Sequence, residues 1–336
     1  MTRHTLAGRT WVDMRFSTTT LGYNLMLALL GLALVFGAVL GGFLMEKGNP
    51  YVLLQPAELL IVGGAAIGIT LVANPPALIR SMAHGARSVL RRSPYTRKSF
   101  LLHLRMLYEV FQFAHRAGMG LLENDAEFPR QSEIFSRYPE FLKDATTRDF
   151  ICDSLRMLVI GITTSNELDR LMDLDIEVQR RGRRAPAGAL HSLADALPGL
   201  GIVAAVLGVV ITMQAIGGAP ELVGQKVAAA LVGTFLGILL CYGVVGPAAA
   251  RLEHLNDAQS QFLQVLRIAM VSFARGAAPL LAVEYARRSI PVELRPSFIE
   301  METTFKRDAK IPPLPSLNGP ADGQDSEAPL GEAVNT

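Results

Sequence analysis

Ala196–Pro220, ALPGLGIVAAVLGVVITMQAIGGAP, contains neither an acid nor a base, and Val227–Ala250, VAAALVGTFLGILLCYGVVGPAAA, follows after one short charged turn. Each can cross a hydrocarbon core of about 30 Å as a helix. Two further stretches, Phe16–Met45 and Leu59–Ile79, share the property. Backbone groups in lipid must be satisfied internally, so the chain is expected to be an all-α integral membrane protein. Its four transmembrane helices are placed at 21–45, 52–74, 197–217 and 226–247. The 336 residues are 50% hydrophobic and 18% charged, with mean hydropathy +0.30, too apolar for soluble domains of that length.

Of the 32 Lys+Arg residues, 30 lie before the first span, between the second and third, or after the fourth. These three compartments share one face if all four helices cross, so both termini and the long middle loop are expected in the cytoplasm. The net charge of +2 gives no footprint for nucleic acid. Cys152 and Cys241 are far apart and outside any CxxC, and the six histidines are scattered, so no metal or cofactor is expected. No nucleophile–base set or phosphate-cradling loop appears either, and the chain is read as a non-enzyme.

The loop 75–196 carries helical periodicity, as in Leu101, Leu104, Leu107 and Phe111, or Leu155, Leu158, Val159 and Thr163. It is read as a helical cytoplasmic domain, bent over Asn124–Tyr138. Apolar positions from Leu252 to Phe273 extend the fourth span into a cytoplasmic helical segment, 248–310, that packs on this domain. Residues 1–20 read as a polar extension, and 311–336, rich in Pro, Gly, Ser and acids, as a disordered tail.

Small residues recur at helical spacing: Gly37/Gly41, Gly64/Gly68, Gly201/Ala205, Ala204/Gly208 and Gly233/Gly237. Such faces let backbones approach closely, within one bundle or between subunits. Leu197–Gly217 and Val227–Pro247, the apolar cores of the third and fourth spans, hold no carboxylate, lysine or histidine as an ion relay, so this chain alone is a poor ion pathway. Glu58, seven residues past the turn at Gly48–Tyr51, is placed at the outer interface, a structural role. Pro198 and Pro247 mark either plain helix ends or hinges.

Several of these residues resemble the MotA family of flagellar motor stator subunits. The strongest match runs from Asp195–Pro198 through Gly199-Leu200-Gly201-Ile202-Val203-Ala204-Ala205-Val206-Leu207-Gly208. Others are Val232-Gly233-Thr234-Phe235-Leu236-Gly237, Gln55-Pro56-Ala57-Glu58-Leu59, Ser132-Glu133-Ile134-Phe135 and Arg295-Pro296-Ser297-Phe298. The likeness covers about residues 22–307. It implies a homopentamer around two helices of a partner, MotB, which carries the ion-binding aspartate and a peptidoglycan anchor. It also implies a charged contact with the rotor protein FliG and a location in the bacterial inner membrane. Glu123 matches the family's acid; at the basic position stands His115, with Arg116 next to it, and either Arg116 or protonated His115 takes that role.

The resemblance further implies that Ala205 and Thr234 line the ion path, and that Asp195, Pro198 and Pro247 couple ion events to the cytoplasmic domain. Alanine at 205, where sodium-driven relatives tend to carry a hydroxyl, favours proton drive. The nearest rival, an ExbB- or TolQ-like energiser, has three spans and lacks the Glu123 segment. A solute transporter would show broken midplane helices, and none is visible here.

Overall fold

The computed structural model describes residues 12–89, 93–214 and 216–308, with the backbone alone for 12–25 and 28. The expected tail at 311–336 and residues 1–11 of the N-terminal extension lie outside the described residues. Every regular element among the described residues is helical.

The first helix, α1 (Val12–Met45), begins inside the stretch read as a polar extension. A 3-10 turn at Pro50–Leu53 leads to α2 (Pro56–Ala73), which starts with proline at its first position, where the missing N–H costs nothing. It stops at Asn74, held extended by the proline that follows. Next comes α3 (Pro76–Val89), then α4 (Arg97–Ala117), whose first turn is capped by Thr96 accepting from the Ser99 N–H at 3.3 Å. Short helices α5 (Glu123–Glu127) and α6 (Pro139–Lys143) fill the expected bend, and α7 (Ala145–Ile160) starts on the Asp144 cap. Its periodicity was read through to Thr163; the helix ends earlier, at Gly161.

Then α8 (Ser165–Met213) runs 49 residues without a break from a Thr164–Glu167 capping box. The expected boundary at 196/197 is therefore a change of surroundings along one helix, since backbone hydrogen bonding is indifferent to the hydropathy of the side chains. Next, α9 (Pro220–Leu240) passes through a π-helical turn, Cys241–Val245, into α10 (Gly246–Ala274). The described residues end with α11 (Pro279–Ser289) and α12 (Phe298–Asp308).

Among the described residues, three helical stretches are long and apolar enough to cross a membrane: Pro50–Ala73, Ser165–Met213 and Pro220–Ala274. The Leu29–Met45 part of α1 is a shorter apolar helix.

The antiparallel partner of α8 along its whole length is α9–α10. At one end glycines meet; farther along, Asn256 Nδ2 donates to Arg183 O at 2.8 Å, and Arg267 bridges Asp169 and Asp173, both at 2.7 Å. The main core lies beyond this end, where α4, α7, α8, α10, α11 and α12 converge. Phe100, Phe111 and Phe262 are fully buried there, each worth about 1.5–3 kcal/mol of burial. Phe111 stacks on Phe273 at 4.3 Å and Tyr108 on Phe305 at 4.8 Å, so the C-terminal helices complete the loop domain's core. Fully buried Glu109 is held by Arg105 at 3.3 Å and Arg137 at 3.1 Å.

Candidate functional site

Where α8 and α9 cross, side chains are almost absent. A Cβ on Gly201 would come within 2.7 Å of Gly233 O, and one on Gly237 within 2.5 Å of Leu197 O. A Cβ on Gly208 would meet the Ala230 Cβ at 2.5 Å. The small-residue spacing thus sets how closely these backbones approach. The opposite side of α8 is apolar and exposed at Ile202, Val206, Val209 and Met213, as suits lipid or another membrane helix.

Half-buried Thr234 lies on this crossing, its hydroxyl directed to Gly201 O at 3.5 Å. Ala205, also half-buried, lies one turn beyond Gly201 on α8. Both expected path residues therefore sit at or beside the seam, with the Thr234 hydroxyl already turned to backbone.

Glu58 is where the structure departs most from the sequence reading. The side chain expected at the outer interface is only 7% exposed. Its carboxylate lies against both α8 and α9: a Cβ on Gly208 would meet Oε1 at 3.5 Å, and a Cβ on Gly233 would collide with Oε2. That Oε2 is buried without a hydrogen-bond partner. The seam between the two charge-free spans thus does hold an ionisable group, supplied by α2. Spacing within α2 could not reveal this, because the covering residues lie far along the chain.

Pro198 is inside α8, three residues after exposed Asp195, so it neither starts nor stops a helix. With no N–H it leaves the Ala194 carbonyl without its helical donor, a local weakness in a long rod. Pro247 follows the π turn, in which the Gly246 N–H donates to Cys241 O, five residues back. That turn takes up the irregularity imposed by the proline, and the helix continues into α10. Leu197, Ala194, Cys241 and, from α2, Val62 and Ala66 pack together around these two positions.

At the far end of the molecule, His115 and Arg116 occupy the last turn of α4, where the helix dipole favours cations. Gly118 closes that helix at φ 92°, a conformation that side chains resist, and the 3-10 turn Met119–Leu122 leads to Glu123 at the start of α5. His115, Arg116 and Glu123 are exposed on one corner, and among the described residues none is in an ion pair. The corner is rigid underneath, since Leu122, Phe111 and Ala114 are buried in the main core. Among the described residues no group of His, Cys, Asp and Glu is arranged to hold a metal.

Known proteins share this fold. The family model for the N-terminal part of Motility protein A matches residues 29–118, and that of the MotA/TolQ/ExbB proton channel family matches 143–264. The chain is 41% identical over 277 residues to Motility protein A of Salmonella typhimurium, covering 82% of this chain and 94% of that protein. It is 33% identical over 273 residues to the chemotaxis protein LafT of Vibrio parahaemolyticus, covering 81% of this chain and 96% of that protein. Its fold is that of a chain in the structure of C. jejuni MotAB, with TM-score 0.68 at 19% identity over 81% of this chain and 99% of that one. A chain of the Bacillus subtilis flagellar MotAB stator complex superposes with TM-score 0.63 at 22% identity, over 79% and 96%.

Proposed function

Because the chain belongs to the Motility protein A family, we propose that it works as the membrane subunit of a flagellar motor stator, coupling ion flow to rotation. The observation that carries this reading is the α8–α9 pair. Over Ala196–Met213 and Val227–Leu240 it is free of charge, glycine-packed on its inner side and apolar on its outer side, and each helix is continuous with the helical core that bears the exposed corner.

The pair forms the wall of the ion path, with Ala205 and Thr234 on it, and a MotB-type subunit supplies the main titrating carboxylate. Five copies of this chain surround two helices of that partner. The chain crosses the inner membrane four times, α1 included, with both termini and the α3–α7 domain in the cytoplasm. Protons are the coupling ion. One charge crossing 100 mV releases about 2.3 kcal/mol, several times the thermal energy and enough to bias one step of a packed, bistable helix assembly. Pro198 and Pro247 set the geometry by which α8 and α9–α10 deliver that step to the corner at His115, Arg116 and Glu123. There the charges meet the rotor protein FliG in a transient contact, for which about 0–1 kcal/mol per exposed pair suffices.

The test is deletion of the gene. The expected phenotype is intact filaments that do not turn, restored by the gene and not by its Glu123→Lys form. Normal filament rotation together with a defect in outer-membrane uptake would instead place the chain with the energisers. Loss of swimming on replacing external Na⁺ at constant proton-motive force would overturn proton drive.

A further inference from the structure

Glu58 has no place in the function proposed so far, and its surroundings are unusual. It stands in the first turn of α2, 93% buried, with Oε2 unpartnered. Its carboxylate fills the space that side chains at 208 and 233 would take, and Ala204 and Ala230 border the same space. The glycines are therefore a slot for the carboxylate as well as a helix seam.

Among the described residues no ion pair joins it to a cation. From Ala196 to Met213, α8 carries no charge, and α2 has no other ionisable residue. On α9 the charged groups are Glu221 and Lys226, in the first two turns; Lys226 precedes Ala230 by one turn on the same face, and among the described residues no ion pair joins it to Glu58. The only hydroxyl of α8 near this level, Thr212, donates to Gly208 O at 2.8 Å. The basic groups of α3, Arg80, His84 and Arg87, stand beyond the other end of α2, about 25 Å away at 1.5 Å per residue. An ionised, unpaired carboxylate in such a slot is strongly disfavoured relative to the acid that keeps its proton. A proton needs one oxygen, which the slot offers; a sodium ion needs several, and the walls here are glycine and alanine.

We propose that Glu58 is a proton-binding site contributed by this chain, at the end of the membrane pair nearest the turns 46–55 and 214–219. Hydronium arriving from that side gives its proton to a Glu58 oxygen and leaves as water; release reverses the step, the O–H bond breaking as the proton passes to an inner water or carboxylate. The site rests on the stator reading and adds to it a first holding point, ahead of the partner's carboxylate.

The test uses the full chain with its partner subunit, in cells lacking the native gene and in membranes. Glu58→Gln, which fills the slot and cannot titrate, is expected to reach wild-type membrane level and to lower swimming speed about tenfold or more. Glu58→Asp, which titrates from a shorter stem, is expected to restore swimming with a displaced dependence on external pH. Infrared difference spectra of the wild-type complex across pH should contain a protonated-carboxyl band that is absent in Glu58→Gln and moved in Glu58→Asp. Wild-type swimming by Glu58→Gln would overturn the site and leave the stator reading intact; failure of the wild-type gene to restore rotation would overturn the stator reading itself. If Glu58→Gln does not accumulate, the infrared comparison of wild type with Glu58→Asp decides, and identical spectra refute the site. A band that responds to Na⁺ at fixed pH would also refute it.

Discussion

Replacing Gly237 by alanine is the sharpest probe of the seam. The new Cβ would lie 2.5 Å from Leu197 O and 3.0 Å from the Gly201 Cα, both backbone atoms that cannot rotate away. Ordinary contact begins near 3.5 Å, so α8 and α9 must separate locally by about 0.5–1 Å. In lipid the pair is held by packing, with no hydrophobic drive to restore the contact. Overpacking of this kind costs about 1–3 kcal/mol, a factor of roughly 5 to 150 in the population of the tight seam. Gly201→Ala meets Gly233 O at 2.7 Å and should behave alike. Gly199→Ala is the control: it lies on the same helix two residues from Gly201, and nothing stands within 4 Å of its Cβ. The assay is swimming speed at matched membrane level, together with the thermal midpoint of the purified complex in detergent. Gly237→Ala and Gly201→Ala should lose speed and lower the midpoint, while Gly199→Ala should do neither. Equal behaviour of all three would refute close backbone approach as what holds the pair.

Pro198→Ala returns a donor to the Ala194 carbonyl and stiffens α8; assembly should persist while torque on a tethered cell falls, and normal torque would make Pro198 mechanically silent. Glu109→Gln leaves Arg105 and Arg137 around a neutral group and should destabilise the cytoplasmic core by about 3–5 kcal/mol, seen as a large drop in the denaturation midpoint. His103 is held below its ordinary pKa, chiefly by burial, with Nδ1 donating to Ser99 O at 2.8 Å and its ring edge-on to Phe262. The folded chain keeps it neutral, so the unfolded chain binds the extra proton below about pH 6.5 and stability is lost as pH falls through that value. The thermal midpoint should drop between pH 7 and 5, and His103→Phe should flatten that slope.

Much of this was legible in the sequence because each signal was local. The Gly201, Gly233 and Gly237 spacing announced a close helix pair, and Leu104, Leu107 and Phe111 announced the buried face of α4. The exposed corner was marked by His115, Arg116 and Glu123 around Gly118. What escaped depends on distant partners. The continuity of α8 was hidden by Pro198, which reads as a helix end or a hinge in isolation yet is tolerated where neighbouring helices hold the backbone. The π turn before Pro247 has no composition of its own. Glu58 looked like an interface residue because nothing in its neighbourhood of sequence reveals that Gly208 and Gly233 have cleared a space for it.

The unbroken course of α8 has a mechanical consequence. At 1.5 Å per residue the helix is a rod of about 73 Å, and from Pro198 to Ser165 its free arm measures about 50 Å. A tilt of about 5° at the proline level therefore displaces the far end by roughly 4 Å, close to the rise of one helical turn. Because Arg267 and Asn256 fasten α10 to that arm, the displacement cannot be absorbed by one helix sliding past the other. In the proposed stator the rod would act as a gear arm, turning motions too small to reorganise a membrane-embedded seam into strokes of molecular size at its far end.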